Sequence, residues 1–347
     1  MQLIQRASVA LAAFTALACA SVHSAHAADA DQAAAGASIQ LAHRLVDSAS
    51  AYETFMHKAG SISPAFTDGA SVAQAVRTGA AWEPKQMLEG EIAYAAIVAL
   101  QDPAFVQSVR ELAADPAMHE RVISDLLSNP NAVTRIRDTD GAAALAASAL
   151  GQQGERLLAS GKSVKQAAYD VQHQSWSKSD VSNPDGRLAE AKVLSATRLT
   201  PTGEDTGRLM KAALDTRQSL SPSERRPIAE AAPAYTPVVV RGLAVAAMAL
   251  MGEAGDDKVD RLEPLLSEAH GADCMKMAKL NLFQCLAVAR PHYEDIFCLG
   301  EHGMMETGRC VLASVTPPRS QSVMQVARAP EAPPAPAPVA VLTSVSA

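Results

Sequence analysis

The sequence predicts an all-α protein: a multi-helix bundle or irregular helical array with a C-terminal disulfide-stapled helical hairpin and a disordered Pro/Ala-rich tail. Three observations carry that expectation. Apolar residues recur at three- and four-residue spacing along most of the chain, while period-two alternation never persists. Aromatic residues are only 4% of the 347, so the core has to be built from Ala, Leu, Val and Met on closely approaching helices. Four of the five cysteines, Cys274, Cys285, Cys298 and Cys310, fall inside one stretch of the sequence, residues 272–312.

Residues 1–27 read as an export signal, with Arg6, an apolar run from Ala7 to Ala20 and a small-x-small end at Ala25-His26-Ala27, cut before Ala28. A second reading takes Ala16-Leu17-Ala18-Cys19 as a loose lipobox, which would anchor the chain by lipid on Cys19. Loss of the signal removes one basic residue, leaving 29 basic against 37 acidic residues, net −8. An acidic chain argues against nucleic acid as a partner. The even cysteine count that remains fits an oxidising compartment.

Residues 28–176 form the expected N-terminal helical region. Leu41, Leu45, Tyr52, Phe55 and Met56 mark an amphipathic helix over residues 33–58, ended by Gly60. Asp68 is placed to cap a short helix to about Thr78, and Pro84 opens another with Met87, Leu88, Ile92, Ala95 and Ala99 on one side. Asp102-Pro103, Asp115-Pro116 and Asn129-Pro130 are three helix starts of one kind, a capping side chain followed by a proline whose missing N–H costs nothing in the first turn. A long Ala-rich helix follows from about Gly141 to Trp176, with a break expected at Gly161.

The polar stretch 177–186, SKSDVSNPDG, is the expected division before a C-terminal region at 187–314. There, residues 188–198 and 205–220 read as helices, and Ser221-Pro222-Ser223-Glu224 is a capping box. Thr236-Pro237 opens the most apolar helix, to Met251, shorter than the ~20 residues a bilayer requires, so no transmembrane helix is expected in the mature chain. Residues 256–270 are expected to form one more helix, kinked or restarted at Pro264. The tail, 315–347, is too rich in Pro and Ala to bury enough surface to order itself.

The cysteine connectivity follows from arithmetic. Cys274 and Cys285 are eleven residues apart, about 16 Å along a helix, too far for a bond that needs Cα atoms within about 7 Å. Paired positions in an antiparallel hairpin have a constant sum of residue numbers. That sum is 584 for 274 with 310 and 583 for 285 with 298, both centred on Pro291-His292. The expected bridges are therefore Cys274–Cys310 and Cys285–Cys298.

No catalytic constellation stands out. Ser175-Trp176-Ser177-Lys178 lacks a strand-turn-helix context, and no Gly-x-Ser-x-Gly occurs. Glu89 with Glu91, and Asp256 with Asp257, do not share a helix face and read as solvated surface. Cys298 and His302 stand four apart, but oxidised cysteines cannot serve zinc. The sharpest metal reading is Cu(I) at Met275, Met277, His302, Met304 and Met305, because thioethers and imidazole suit that ion. Against it, Met is also the residue that fills irregular gaps in an aromatic-poor core. No cofactor is implied.

Residues 66–106, FTDGASVAQAVRTGAAWEPKQMLEGEIAYAAIVALQDPAFV, and residues 276–310 resemble uncharacterised exported all-helical proteins of Gram-negative bacteria, a family of unknown function, over most of the mature chain. The resemblance carries no activity with it. The reading that results is a periplasmic structural or interaction protein of the cell envelope, without catalytic activity, that presents a surface or groove to an envelope protein partner. Two alternatives stand beside it: a periplasmic small-molecule or copper-binding factor using the Met/His-rich hairpin, and a hydrolase without a recognisable motif.

Overall fold

The computed structural model describes residues 39–214 and 235–317. The signal segment, the capping box at Ser221 and the Pro/Ala-rich tail lie outside the described residues. Within them the chain is helical and no strand forms.

Helix α1 (His43–Gly60), α2 (Gly69–Ala80) and α3 (Pro84–Ala99) follow one another across short corners. Asp68 caps α2 as expected, its Oδ1 accepting from the Ser71 N–H at 2.7 Å. The expectation for α3 is corrected in one respect: every residue from Gln86 to Ala99 is buried, not one side alone. The cause is close approach by its neighbours α1, α6 (Thr139–Val171) and α9 (Pro237–Leu250). A Cβ on Gly90 would sit 2.3 Å from the Ser48 carbonyl oxygen, and one on Gly242 would sit 2.5 Å from the Ala95 Cβ. Helices can pack this closely only where a side chain is absent, and each Ile, Leu or Val so buried contributes roughly 1.5–3 kcal/mol.

The three Asx-Pro starts all cap. Asp102 opens α4 (Pro103–Ala113) through the Phe105 N–H, Asp115 opens α5 (Pro116–Ser128) through Ala117, and Asn129 opens a single 3₁₀ segment, Pro130–Arg135. α6 runs unbroken through Gly161 for 33 residues, contrary to the expected break. Gly161 marks a crossing: a Cβ there would lie 2.8–2.9 Å from Met304 and Met305. The ~1 kcal/mol that glycine costs inside a helix is offset by that packing.

Helices α7 (Pro184–Ala196), α8 (Gly203–Leu214) and α9 complete the surround. α9 is buried from Val238 to Leu250 except at Arg241, the core helix its composition predicts. No single helix among the described residues is long and apolar enough to cross a membrane; α3 and α4 reach the length only together and meet at 91°. The helix expected over 256–270 is instead a 3₁₀ segment, Val259–Leu265, with Pro264 inside it, because proline removes an N–H and its ring clashes with the preceding turn.

One buried cluster draws on both sides of the polar stretch 177–186. That stretch hooks onto the C-terminal hairpin: the Val181 N–H donates to the Arg290 carbonyl at 2.9 Å and the His292 N–H to the Ser179 carbonyl at 3.3 Å.

The hairpin itself has α10 (Ala269–Val288) as its outer arm and one continuous helical rod as its inner arm: α11 (His292–Cys298), a π-helical stretch (Leu299–Glu306) and α12 (Thr307–Val315). Cys274 bonds Cys310 and Cys285 bonds Cys298, with Cα–Cα distances of 5.7 and 5.6 Å. The π stretch accounts for the off-by-one in the constant sum. Its turns close i→i+5 and consume an extra residue, so twelve residues on the inner arm span what eleven do on α10.

Candidate functional site: the outer face of the stapled hairpin

The two arms are held differently. The inner arm lies in the core against α6, where Gly300 brings its backbone so close that a Cβ would meet Lys165 N at 2.5 Å. Lys165 then reaches back to Glu301 at 2.7 Å, and Arg309 to the same carboxylate at 3.0 Å; burial opposes ionisation of Glu301, but these two cations hold its carboxyl below the usual range. On α10, by contrast, only Met275, Ala278, Lys279, Leu282 and Leu286 are buried.

Those few buried groups anchor α10 at defined points. Lys279 donates to the Ala80 carbonyl at 2.7 Å, the end of α2, where Ser195 of α7 also donates at 2.9 Å. Its ammonium lies 3.9 Å from the Trp82 ring centroid. Burial drives the Lys279 pKa well below the ordinary value, with Glu83 acting the other way, and the Ala80 carbonyl and the Trp82 face are what the ammonium meets there. At the other end Arg187 of α7 donates to the Leu286 and Ala289 carbonyls that end α10, and pairs with buried Asp295 on α11. Burial raises the Asp295 pKa, and the Arg187 guanidinium partly reverses that.

The exposed residues of α10 are mixed: His270, Asp273, Lys276 and Gln284 stand in solvent beside three large apolar side chains. Met277, Leu280 and Val288 are 51%, 44% and 75% exposed, and at intervals of three and eight residues they fall on one face about 16 Å long, which they share with exposed Gln284. Val288 is also the lip of a groove of about 380 Å³, whose walls are Tyr169 from α6, Tyr293, Glu294 and Phe297 from α11, and the Cys285–Cys298 bridge. Tyr169 meets Phe297 edge-on, with centroids 6.2 Å apart, and Lys165 lies 5.1 Å from the Phe297 centroid, so the aromatic wall is braced from behind. Val288 and the groove form one apolar track of the kind that marks an interaction site when it is left uncovered, and exposed Gln284 separates it from Leu280 and Met277.

A second cavity, of about 350 Å³, lies on the opposite flank of α11, between α2 and α7. Its polar lining is internally matched, Arg187 with Asp295 and Arg77 with Glu190 at 2.9 Å, so its charges are already committed.

The residues of the copper reading are dispersed. Met275 is fully buried while Met277, two positions on, faces out; Met304 and Met305 wedge against Gly161; and His302 pairs through Nδ1 with Glu306 at 2.9 Å. The structure does not bring the five to one centre. Among the described residues no group of three or more His, Cys, Asp or Glu is placed to hold a metal. Ser175-Trp176-Ser177-Lys178 is one helical turn in which Ser177 Oγ, wholly buried, donates to the Val171 carbonyl, an anchoring role.

Glu89 and Glu91 overturn their expected solvated placement, since both are buried on α3. Glu89 is met by Lys85 at 3.5 Å, Arg198 at 3.5 Å and Arg44 at 3.9 Å. Glu91 accepts from Ser314 Oγ at the end of α12, and burial pushes its carboxyl up to about 8. No sequence signal distinguished these two from surface acids; only the all-round apolarity of residues 92–100 hinted that α3 has no solvent face.

The fold and this surface define a class: an all-helical chain with a doubly stapled hairpin that displays an apolar track. Comparison with known protein families, curated proteins and solved structures returns no match.

Proposed function

We propose that this is an exported, periplasmic interaction protein of the cell envelope, without catalytic activity of its own, and that the stapled hairpin is its binding element. The observation that carries the reading is the apolar track made by 75%-exposed Val288 and the Tyr169–Tyr293–Phe297 groove, with exposed Met277 and Leu280 farther along the same helix. Exposed Val and Leu on a helix otherwise held by two disulfides are costly to solubility and serve no packing role, which is the pattern of a surface kept for a partner. The disulfides support the exported compartment, as do the signal-like residues 1–27 and the resemblance to exported helical proteins.

A photo-crosslinking residue placed at Val288 in the exported chain, in cells, tests the reading. A discrete adduct with one envelope protein is expected, and it should vanish when Leu280→Glu is added. Absence of any adduct from positions 280, 288 and 293 contradicts the reading.

A further inference from the structure

We propose that the apolar track on α10 and α11 is a seat for this chain's own proline-rich segment, residues 330–338, bound in cis as an extended left-handed polyproline strand. This rests on the interaction reading and names what occupies the track when no partner is bound.

Geometry at the end of the described chain comes first. α12 ends at Val315, five residues past Cys310, which is bonded to Cys274 at the start of α10 with Cα atoms 5.7 Å apart. The described chain therefore ends near the start of α10, the opposite end from Val288. Pro330 lies thirteen residues past Pro317, a reach of roughly 43 Å when extended, against the ~16 Å from Met277 to Val288. The tail can run past α10 and enter the groove with slack to spare.

The chemistry of the two surfaces matches. The sequence RAPEAPPAPAPV, residues 328–339, places Pro330, Pro333, Pro334, Pro336 and Pro338 at the density that favours a polyproline strand, which is already ordered and loses little entropy on binding. Grooves that take such strands are lined by aromatic rings, against whose faces the pyrrolidines pack. Tyr169, Tyr293 and Phe297 supply that lining here, with Val288 at the lip. Glu294 gives the groove one acidic wall, and Arg328 stands two residues before the first proline of the run. Nine residues of polyproline at about 3.1 Å each cover some 28 Å, enough to fill the groove and pass over its lip at Val288. Tethering adds an effective concentration in the millimolar range, so a weak contact suffices in cis.

The test uses the full mature chain, purified with both disulfides intact. A photo-crosslinking residue replaces Tyr293, and adducts are mapped by mass spectrometry in an equal mixture of ¹⁴N and ¹⁵N chains. The expected result is an adduct joining position 293 to residues 326–342 within one isotopic chain. It should fall at least tenfold when Val288→Glu is added, and likewise when Pro330, Pro333, Pro334 and Pro336 are changed to Ser, with the melting temperature of each variant measured beside it. Adducts that form only between chains, that map outside the tail, or that ignore both sets of substitutions overturn the proposal. If the purified chain gives no tail adduct while the cellular experiment still yields a partner adduct at Val288, the cis seat fails and the interaction reading stands.

Discussion

α3 and α10 are both long, apolar-rich helices in contact with each other, yet they are held in place by opposite means. α3 is buried from Gln86 to Ala99 and needs no covalent help; α10 buries five of its twenty residues and is pinned by two disulfides, a buried lysine and an arginine on its final carbonyls. The difference teaches how this chain frees a surface. Covalent staples replace burial on α10, so large apolar side chains such as Val288 can stay exposed on it without releasing the helix.

Substitutions at close helix contacts should give the largest effect. Gly90→Val puts side-chain atoms where the Ser48 carbonyl oxygen already stands and must prise α1 from α3. We expect a loss of about 3 kcal/mol or failure to fold, read by chemical denaturation. If Gly90→Val melts like the parent, the burial half of the comparison is wrong.

Removing the staples comes next. Replacing Cys285 and Cys298 together by Ser should cost about 2–4 kcal/mol, and the Cys274/Cys310 pair a similar amount, with circular dichroism near 222 nm largely unchanged at 20 °C. The denaturation midpoint is the readout, and an unchanged midpoint would show that α10 does not depend on its bridges.

Glu91 sharpens the comparison from the core side. Its folded carboxyl titrates near 8 against an ordinary 4.5, so between those pH values the folded chain holds a proton that the unfolded chain has lost. Stability from this group therefore falls as pH rises through that window, by no more than about 1.4 kcal/mol per pH unit, and levels off above it. Glu91→Gln keeps an acceptor for Ser314 and should remove that fall. The difference between variant and parent isolates Glu91 from Asp205 and Glu263, whose carboxyls are held low by their hydrogen bonds against the pull of burial and whose contributions run the other way. Parallel pH–stability curves for the two proteins would contradict the assignment.

The smallest stability effect is expected on the exposed track. Val288→Glu should shift folding stability by no more than about 0.5 kcal/mol, because the side chain is 75% in solvent, while it abolishes binding there. A large destabilisation would mean that the track is packed after all.

Much of this was readable from residue order. Asp68, Asp102, Asp115 and Asn129 announce their caps because a short side chain before a helix start, with proline next to three of them, has one favourable local geometry. The disulfide pairing was readable because a hairpin imposes a linear constraint on numbers. What stayed hidden is tertiary. Gly161 reads locally as a helix breaker and becomes a crossing point only when Met304 and Met305 arrive 140 residues later. Glu89 and Glu91 read as surface acids until Arg198 and Ser314 are brought to them from distant helices. The groove was hidden for the same reason: Tyr169 and Phe297 meet only in three dimensions.

Amide hydrogen exchange, measured on the oxidised chain and again under reductant at neutral pH, tests the central claim most directly. The account predicts that on reduction the amides of α10 lose protection by a factor of ten or more, while those of α3 and α9 keep theirs. Retention of α10 protection in the reduced chain, or an equal loss across α3, α9 and α10, would contradict it.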